Sequence, residues 1–513
     1  MSGKIIQGRE ISADQLLTCD VCVVGSGAGG AVLAAGLVEK GLNVVMLEAG
    51  GYHTKADFDL QEGHAYPMLY QDRGTRGTAD QSIAVMQGRS VGGSTTVNWT
   101  TCFRTPERIL KHWADVHGVA GIDVASMAPH FEAVEQRLSI AEWPLARAND
   151  NNRKLHDGAK KLGWQAESTR RNVKGCVNSG YCGVGCPVDG KQAMHVTYIA
   201  DAVAGGMTLL ADCNVTTLER TGNRITAVHG VVLDRSSGRA RGPKVRVQAK
   251  VVVASGGALN TPALLLRSGL DGGGLVGKRT FLHPVVTLLA IYKDKINGFY
   301  GAPQSISSHE FAVAKPGEMG FFLETAPVQP MLMAQAAAMH GTKLTETLAQ
   351  LPHIGAVLAL AIDGLLPDET GGTVTLRTDG RMKLDYAFTP ALTATMREAH
   401  VAIARLHLAA GATRLFSLHT EPLEISDASG LTALAAKPYG ALKHPVFTAH
   451  QMGGCAMGGD PKASVVDSEH RYRGVDNLFV VDGSVMPTSL GVNPSETIYG
   501  MAHRARAFVA AAV

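Results

Sequence analysis

Three glycines, Gly25, Gly27 and Gly30, stand in the spacing G-x-G-x-x-G, and a loop with this spacing can bind a pyrophosphate. The first glycine allows a tight turn, the second lets backbone approach the phosphates, and the third lets a helix pack on a strand. The N-terminus of that helix presents free N–H groups to the anion. Glu48, about 20 residues further on, can accept hydrogen bonds from ribose hydroxyls. The pattern therefore predicts a dinucleotide site that includes Gly25, Ser26, Gly27, Gly30, Glu48 and Ala49.

A second group of reactive side chains consists of Cys176, Cys182 and Cys186, spaced C-x5-C-x3-C and interleaved with glycines. Such a loop can fold three thiolates around one point, and thiolates bind zinc or iron–sulfur clusters. Three ligands fall one short of the four that zinc prefers. The alternative is a buried loop with small, weakly polar thiols. Both interpretations stay open on the sequence alone.

The glycine loop lies within a pattern of strand, turn, helix and strand. Val21–Val24 predicts a buried strand, Ala31–Lys40 a helix that ends at Gly41, and Val44–Leu47 a second strand. Val251–Ala254 and Leu478–Val481 are two further predicted strands, each followed by a polar or glycine-containing turn. Strands so distant in the chain predict one parallel sheet assembled from separate segments.

The range 285–443 has a different character. Thr373–Leu376 and Met382–Tyr386 flank Asp379-Gly380 and predict a β-hairpin. Thr393–Leu408 predicts a long helix. We therefore expect an inserted α+β domain over the parallel sheet.

Composition excludes several classes of function. The 513 residues are 45% hydrophobic and 18% charged, as in globular proteins. The net charge is +3 and the basic residues are dispersed, so we expect no nucleic-acid partner. The longest apolar run, Ile354–Ile362, is too short to span a bilayer, and Met1–Leu17 lacks the pattern of a secretory signal. We expect a cytoplasmic protein with unpaired cysteines, and peripheral contact with a membrane stays open.

Three further segments follow the glycine loop in order: Gly88–Asn98, Gly257–Leu270 and the C-terminal block from His450 to Pro494. Together with the loop they resemble the glucose–methanol–choline (GMC) oxidoreductases, which oxidise alcohols with FAD. The resemblance covers roughly half of the chain. It implies that FAD contacts Gly88, Gly92, Gly93, Asn98, Trp99, Val215, Ala254, Asp482 and Gly483 in addition to the first loop.

The resemblance also implies the catalytic pair. Its C-terminal block is similar to that of bacterial cholesterol oxidases, which pair a histidine with an Asn-Pro, here His450 and Asn493. A histidine that is neutral at pH 7 suits removal of the hydroxyl proton. An amide N–H can hold the oxygen without a charge that would trap an alkoxide. Since the chain contains a single dinucleotide motif, we expect the substrate itself to donate the hydride.

The fold class that follows is α/β. A Rossmann-like FAD-binding domain with a parallel sheet is interleaved with an α+β substrate domain built on an antiparallel sheet. The expected FAD-binding domain takes residues 15–105, 195–284 and 444–513. Residues 106–194 form a connecting or cap segment that carries the cysteine loop, and residues 285–443 form the substrate-binding domain.

Two details of the cofactors follow from the resemblance. Some family members attach FAD covalently through a histidine at the position of Val97, so we expect non-covalent FAD here. The cysteine loop resembles an iron–sulfur segment in a minority branch of the family. It also resembles a Cys/Gly loop of long-chain alcohol oxidases, for which we assume no metal.

The sequence defines the substrate and the electron acceptor less closely than it defines the cofactor. We expect a bulky or hydrophobic alcohol, with Met331–Met339 and Leu351–Leu366 as either an apolar channel or core. The electrons would pass to oxygen or to another acceptor such as a quinone or a cytochrome, so oxidase and dehydrogenase both stay open. The alternatives are a flavin-dependent lyase or decarboxylase on the same fold, and an electron-transfer subunit with an iron–sulfur cluster.

Overall fold

The computed structural model describes residues 3–337 and 339–513. Its α-helices, in chain order, are α1 (Ala28–Glu39), α2 (Glu62–Leu69), α3 (Glu107–His117), α4 (Val124–Leu138), α5 (Asp150–Lys161), α6 (Tyr198–Ala204), α7 (Asn260–Arg267), α8 (Pro330–Ala336), α9 (Gly341–Ala349), α10 (Pro390–Ala409), α11 (Leu431–Ala435) and α12 (Ser495–Ala510). In these ranges no helix combines the length and the apolar character that crossing a lipid bilayer requires.

The strands, in chain order, are β1 (Lys4–Ile6), β2 (Gln15–Val24), β3 (Val44–Leu47), β4 (Ile83–Val85), β5 (Thr101–Cys102), β6 (Ile140–Glu142), β7 (Glu167–Ser168), β8 (Arg170–Asn172), β9 (Thr208–Leu210), β10 (Cys213–Thr221), β11 (Arg224–Leu233), β12 (Ala240–Ala254), β13 (Thr280–Phe281), β14 (Val285–Ile291), β15 (Ile306–Ser308), β16 (Phe321–Thr325), β17 (Ile354–Ala361), β18 (Thr373–Leu376), β19 (Met382–Asp385), β20 (Arg414–Ser417), β21 (Glu424–Ile425), β22 (Val446–Thr448), β23 (Met452–Gly453) and β24 (Leu478–Val480).

An eight-stranded sheet carries the glycine loop. Its order is β1-β9-β3-β2-β12-β11-β10, and β24 pairs with the last residues of β12. Strands β1, β9, β3, β2, β12 and β24 run parallel to one another. Strands β11 and β10 continue the sheet beside β12 in antiparallel pairs. The predicted parallel sheet built from distant segments is confirmed, since the four predicted strands lie in β2, β3, β12 and β24.

Continuous apolar runs explain why these strands occupy the middle of the sheet. Val21–Val24 pairs with Val44–Leu47 on one side and with Val251–Ala254 on the other, and all three segments are buried. Strands covered on both faces show such uninterrupted runs. The helix α1 begins at Ala28, three residues before the predicted start, because its first turn is formed by the glycine loop itself.

A nine-stranded sheet forms the second layer, in the order β21-β20-β14-β17-β16-β15-β7, with β22 beside β14 and β4 beside β22. Its pairs are antiparallel except β22 with β4. The apolar run Ile354–Ile362 provides β17, which is fully buried. The predicted hairpin is confirmed as β18 and β19, and the predicted long helix is confirmed as α10.

The fold is therefore mixed α/β with one largely parallel and one largely antiparallel sheet, as expected. Most of the antiparallel sheet comes from the range 285–443, while β4, β7 and β22 join it from outside that range. The division into domains stays a prediction. The contact between β14 and β22 matters for function, because Val285 pairs with Phe447 and both strands adjoin histidines of the candidate site.

Candidate active site

A cleft of ≈ 1040 Å³ lies where the carboxyl ends of β2, β3 and β12 meet the loops after β4 and β22. Most of the residues predicted to bind FAD or to act in catalysis line it: Gly25, Ser26, Gly27, Glu48, Ala49, Gly88, Gly93, Asn98, Trp99, Val215, Asp482, Gly483, His450 and Asn493. Three predicted residues, Gly30, Gly92 and Ala254, are not part of its lining and lie behind it.

The glycines of the loop have separate roles. Gly25 has φ 103°, and a Cβ there would lie 2.2 Å from the Ser255 carbonyl oxygen. A Cβ on Gly30 would lie 2.1 Å from the Gly25 oxygen, so both positions require glycine for packing. At Gly27 the nearest atom to such a Cβ is Gly93 Cα at 3.9 Å. The side of Gly27 that a Cβ would fill is thus open, which is where a ligand phosphate can approach the backbone.

Glu48 and Ser26 fasten this loop. Ser26 donates from its backbone N and from Oγ to Glu48 Oε2, at 3.0 and 2.7 Å, and Gly50 N donates to Glu48 Oε1 at 2.7 Å. Ser26 Oγ accepts from Gly92 N at 3.0 Å. Gly92 therefore supports the site from behind the lining. The expected hydrogen bonds from Glu48 to a ribose stay a prediction.

Asp482 joins two segments of the cleft wall. Its Oδ1 accepts from Ser484 N at 2.8 Å, and its Oδ2 accepts from Gly257 N at 2.8 Å and Thr261 Oγ1 at 2.6 Å. Burial raises the pKa of this carboxyl, against the lowering effect of these donors. Asp482 thus holds the end of β24 against the turn that precedes α7.

Besides Asn493 Oδ1, two buried polar atoms in the cleft wall lack partners within the described ranges. They are Asn98 Oδ1, an acceptor, and Trp99 Nε1, a donor. Leaving such a group unpaired in the interior costs about 1–3 kcal/mol. A bound heterocycle with its own donors and acceptors would satisfy both. Together with the open side of Gly27, these atoms fit a dinucleotide whose ring system lies beside Asn98.

His450 and Asn493 meet in the cleft although 43 positions separate them. Asn493 Nδ2 donates to His450 Nε2 at 3.3 Å, and the same amide lies 3.4 Å from Glu324 Oε2. His450 Nδ1 lies 3.0 Å from His283 Nδ1. The end of β22 positions His450, whose backbone N donates to Thr448 Oγ1 at 3.1 Å. Asn493 stands just before α12.

His283 and His450 are here called the cleft histidine pair. Their hydrogen bonds indicate which ring nitrogen carries the proton. Burial lowers the pKa of His450 to about 3, and burial together with His450 lowers that of His283 well below its usual value. Both rings are therefore neutral at pH 7. Because Asn493 donates to Nε2 of His450, the proton of His450 is on Nδ1 and is donated to His283. His450 thus presents a lone pair on Nε2, as a general base requires.

No sequence motif predicts His283 or Glu324 as part of the site. His283 belongs to no motif, and its ring meets that of Phe322 edge-on, with centroids 5.3 Å apart. Glu324 interrupts the apolar strand β16, and burial raises its pKa to about 8, so it is protonated at pH 7. An acid inside a buried apolar run is a signal that could have identified Glu324.

The geometry of the cysteine loop bears on the two interpretations that the sequence leaves open. The sulfurs of Cys176, Cys182 and Cys186 do not all lie within 4.8 Å of one another, so they do not converge on one point. The buried amine of Lys191 occupies the loop instead and donates to the carbonyls of Thr96 at 2.5 Å, Asn98 at 3.0 Å and Cys182 at 2.6 Å. A cation held there disfavours a metal ion. The loop thus fixes the segment that carries Asn98.

Of the two alternatives for the apolar segments, channel or core, the structure favours core. No described residue of Met331–Met339 or Leu351–Leu366 lines the cleft, and Ala338 lies outside the described residues. Met333 packs with Ile354 and Ala356 in a buried cluster behind the antiparallel sheet. The alternative, that these side chains form core, is confirmed for Met333 and for β17.

Comparison with known protein families matches two segments. Residues 66–285 match the N-terminal model described as GMC oxidoreductase, and residues 367–502 match the C-terminal model of the same description. Together these segments cover more than half of the chain.

Comparison with individual proteins also finds relatives described as GMC-type oxidoreductases or alcohol oxidases. An uncharacterized GMC-type oxidoreductase of Mycobacterium tuberculosis is 32% identical over 497 residues, which cover 96% of this chain and 76% of that protein. A long-chain-alcohol oxidase of Arabidopsis thaliana is 29% identical over 514 residues, 95% of this chain and 67% of the oxidase. The crystal structure of pyridoxine 4-oxidase from Mesorbium loti is similar in fold, with a TM-score of 0.72 at 21% identity, over 96% of this chain and 99% of that one.

Proposed function

This chain belongs to the GMC oxidoreductase family and is an FAD-dependent oxidoreductase of CH–OH groups, and we propose that it oxidises an apolar alcohol with His450 as the base. The observation that carries the proposal is the Nε2 lone pair of His450, which lines the cleft beside the Asn493 amide at 3.3 Å. A neutral imidazole in this position can accept the hydroxyl proton of a substrate.

We assign the steps to this chain as follows. The substrate hydroxyl displaces the Asn493 amide from His450 Nε2 and donates to that nitrogen instead. The Asn493 N–H then donates to the alcohol oxygen as negative charge develops on it. Proton uptake gives His450 a positive charge, and its Nδ1–H donates to His283 throughout.

The cleft residues described above would hold FAD, with the pyrophosphate at Gly27 and the ring system at Asn98 and Trp99. When bound, FAD supplies the acceptor for the hydride that leaves the alcohol carbon. Val97 also lines the cleft and has no atom that can form a covalent bond to a flavin. We therefore propose non-covalent FAD, which acid or urea treatment should release from the polypeptide.

An apolar substrate is supported by the side chains around the pair. Ala449, Pro494 and Ile498 line the cleft next to His450 and Asn493 in sequence or on the adjoining helix. Met86 lines it as well, and its carbonyl accepts from Gln451 at 3.4 Å. The long-chain-alcohol oxidase among the relatives supports the same choice.

Anaerobic mixing of the FAD-loaded protein with a series of alcohols tests the proposal. We expect 1-dodecanol to bleach the flavin absorbance faster at equal concentration than ethanol or glucose. Bleaching by glucose alone would contradict the apolar substrate, and no bleaching by any alcohol would contradict the role of His450 as a base. Hydrogen peroxide formed in air would identify oxygen as the acceptor, whereas turnover only with a quinone or a cytochrome would identify a dehydrogenase.

The geometry gives no support to an electron-transfer subunit with an iron–sulfur cluster, because the three sulfurs of the cysteine loop do not converge. We propose that FAD is the redox group of this chain. Iron and acid-labile sulfide assays on anaerobically purified protein test this, and stoichiometric amounts of both would contradict it.

A further inference from the structure

A group of three buried histidines lies outside the cleft. His400 is on α10, His419 follows β20, and His444 precedes β22. Their exposed fractions are 0%, 1% and 3%, and none lines the cleft. We call these three residues the closed histidine cluster.

The rings of the closed cluster surround a common point. Their centroids are 5.4 Å apart for His400 and His419, 4.8 Å for His400 and His444, and 4.6 Å for His419 and His444. A fourth ring, that of Tyr439, lies 5.3–5.7 Å from each of them. One possible ligand atom from each histidine lies within 4.8 Å of the other two. Four rings at nearly equal separations form an approximate tetrahedron.

The nitrogen atoms of this cluster are largely unsatisfied. Both ring nitrogens of His419 and both of His444 are buried, and none has a hydrogen-bond partner among the described residues. His400 differs, because its Nε2 donates to the Thr287 carbonyl at 3.1 Å and its Nδ1 therefore carries a lone pair. The Tyr439 hydroxyl is in contact with Nδ1 but can also donate to the Met396 carbonyl at 3.2 Å. Several unpaired polar atoms packed at one point call for a ligand.

We propose that the closed histidine cluster is a zinc site, formed by His400 Nδ1 and one ring nitrogen each of His419 and His444. The oxygen of Tyr439 or a water molecule takes the fourth position. Nitrogens on tetrahedral zinc are about 3.3 Å apart, so the three ligand atoms, which lie within 4.8 Å of one another, would draw together by side-chain rotation around the ion. The Nε2–H bond of His400 to a backbone carbonyl is the orienting contact that zinc-bound histidines usually make.

The protonation states agree with this geometry. Burial lowers the pKa of His400 to about 3, and burial together with the charge of Lys437 lowers that of His419 to about 4, so the rings are neutral and available as ligands at pH 7. Zinc is favoured over magnesium or calcium because the donors are imidazoles and not carboxylates. The site does not depend on the proposed alcohol chemistry.

The zinc would join three parts of the fold. It would connect α10 to the loop after β20 and to the segment that enters β22, next to Thr287 on β14. These are the strands that lead to His283 and His450. The role is structural, since no residue of the cluster reaches the cleft.

Metal analysis of FAD-loaded protein, purified without a histidine tag or chelator, tests the proposal. We expect about one zinc per chain in the unaltered protein, and at least a tenfold loss in His419→Gln and in His444→Gln. The matched control is His407→Gln, which replaces a buried histidine of α10 that bonds to Tyr292 outside the cluster and should keep its zinc.

Zinc K-edge absorption of the unaltered protein supplies a test that needs no variant. We expect only nitrogen or oxygen neighbours at about 2.0 Å. Sulfur neighbours would place the metal at the cysteine loop and overturn the proposal. So would the absence of stoichiometric zinc, or zinc that persists in both cluster variants.

Discussion

The cleft histidine pair and the closed histidine cluster contain the same side chain in similar burial, yet their surroundings differ. In both, burial lowers the histidine pKa, to about 3 for His450 and about 3 for His400. In the cleft pair, Nδ1 of each ring is hydrogen-bonded and Nε2 of His450 meets an amide beside open space. In the closed cluster, the ring nitrogens of His419 and His444 have no hydrogen-bond partner among the described residues, and the three histidines offer ligand atoms within 4.8 Å of one another.

The difference shows that a lowered pKa alone does not identify the role of a histidine. Burial keeps both groups neutral, and a neutral imidazole can serve as a base or as a metal ligand. What the lone pair faces decides between the two. A cleft that admits a hydroxyl leads to proton transfer, and a closed set of neighbouring nitrogens leads to metal binding.

Replacing His450 should have the largest effect, because only the cleft histidine pair is expected to take part in flavin reduction. We expect His450→Gln to bind FAD and to keep its melting temperature, while the rate of flavin reduction by alcohol falls about 10²–10⁴-fold because the general base is lost. Rapid anaerobic mixing measures the rate. His407→Gln, which removes a buried histidine with a pKa of about 3 outside the cleft, should reduce flavin at the unaltered rate. An equal loss of the flavin-reduction rate in both variants would contradict a specific role of His450 as the base.

Replacing Asn493 tests whether its amide stabilises the alcohol oxygen during proton transfer. Asn493→Ala removes the amide that is expected to hold the alcohol oxygen, so we expect the rate of flavin reduction to fall about 10²-fold. Asn493→Asp keeps the shape of the side chain but places a negative charge near the developing alkoxide. Its rate of flavin reduction should therefore be no higher than that of Asn493→Ala. Single-turnover kinetics check both. A change in KM without a change in the reduction rate would mean that Asn493 only binds substrate.

His283 is a positioning residue in this account. His283→Leu removes the acceptor of the His450 Nδ1 proton, and we expect about a tenfold slower reduction, equivalent to about 1.4 kcal/mol. His283→Gln retains an acceptor oxygen and should restore much of the rate. The two variants have similar side-chain volumes, so equal rates in both would assign His283 a packing role alone.

The smallest effect concerns stability and pH. A histidine that stays neutral in the fold is protonated in the unfolded chain as pH falls below about 6.5, so stability is lost as pH falls. For His407, which lies outside the closed cluster, this amounts to about 1.4 kcal/mol between pH 7.5 and 5.5. Chemical denaturation at both pH values measures it. His407→Gln should reduce the difference by about that amount, and an unchanged difference would show that His407 is protonated in the fold.

The sequence predicts the parallel sheet and the dinucleotide loop because their signals are local. Val21–Val24 and Val44–Leu47 are continuous apolar runs, and Gly25, Gly27 and Gly30 are required by contacts within one turn. The family resemblance implies the pairing of His450 with Asn493, and the structure brings the two side chains together.

What the sequence does not predict depends on contacts between distant segments. His283, between β13 and β14, and Glu324, on β16, meet His450 and Asn493 from separate parts of the chain, and the closed cluster is assembled from one helix and two loops. The cysteine spacing was locally consistent with a metal site. Only the fold shows that Lys191, which stands apart from that motif, fills the loop with its amine.

The most direct test of His450 as the base is the pH dependence of anaerobic flavin reduction by 1-dodecanol in the unaltered protein and in His450→Gln. The pKa of His450 is lowered to about 3 and that of Glu324, beside Asn493, is raised to about 8, so the unaltered rate should be constant from about pH 5 to 7. The variant should be slower and should accelerate about tenfold per pH unit, because hydroxide must then remove the proton. Parallel profiles of equal rate would contradict the assignment of His450 as the base.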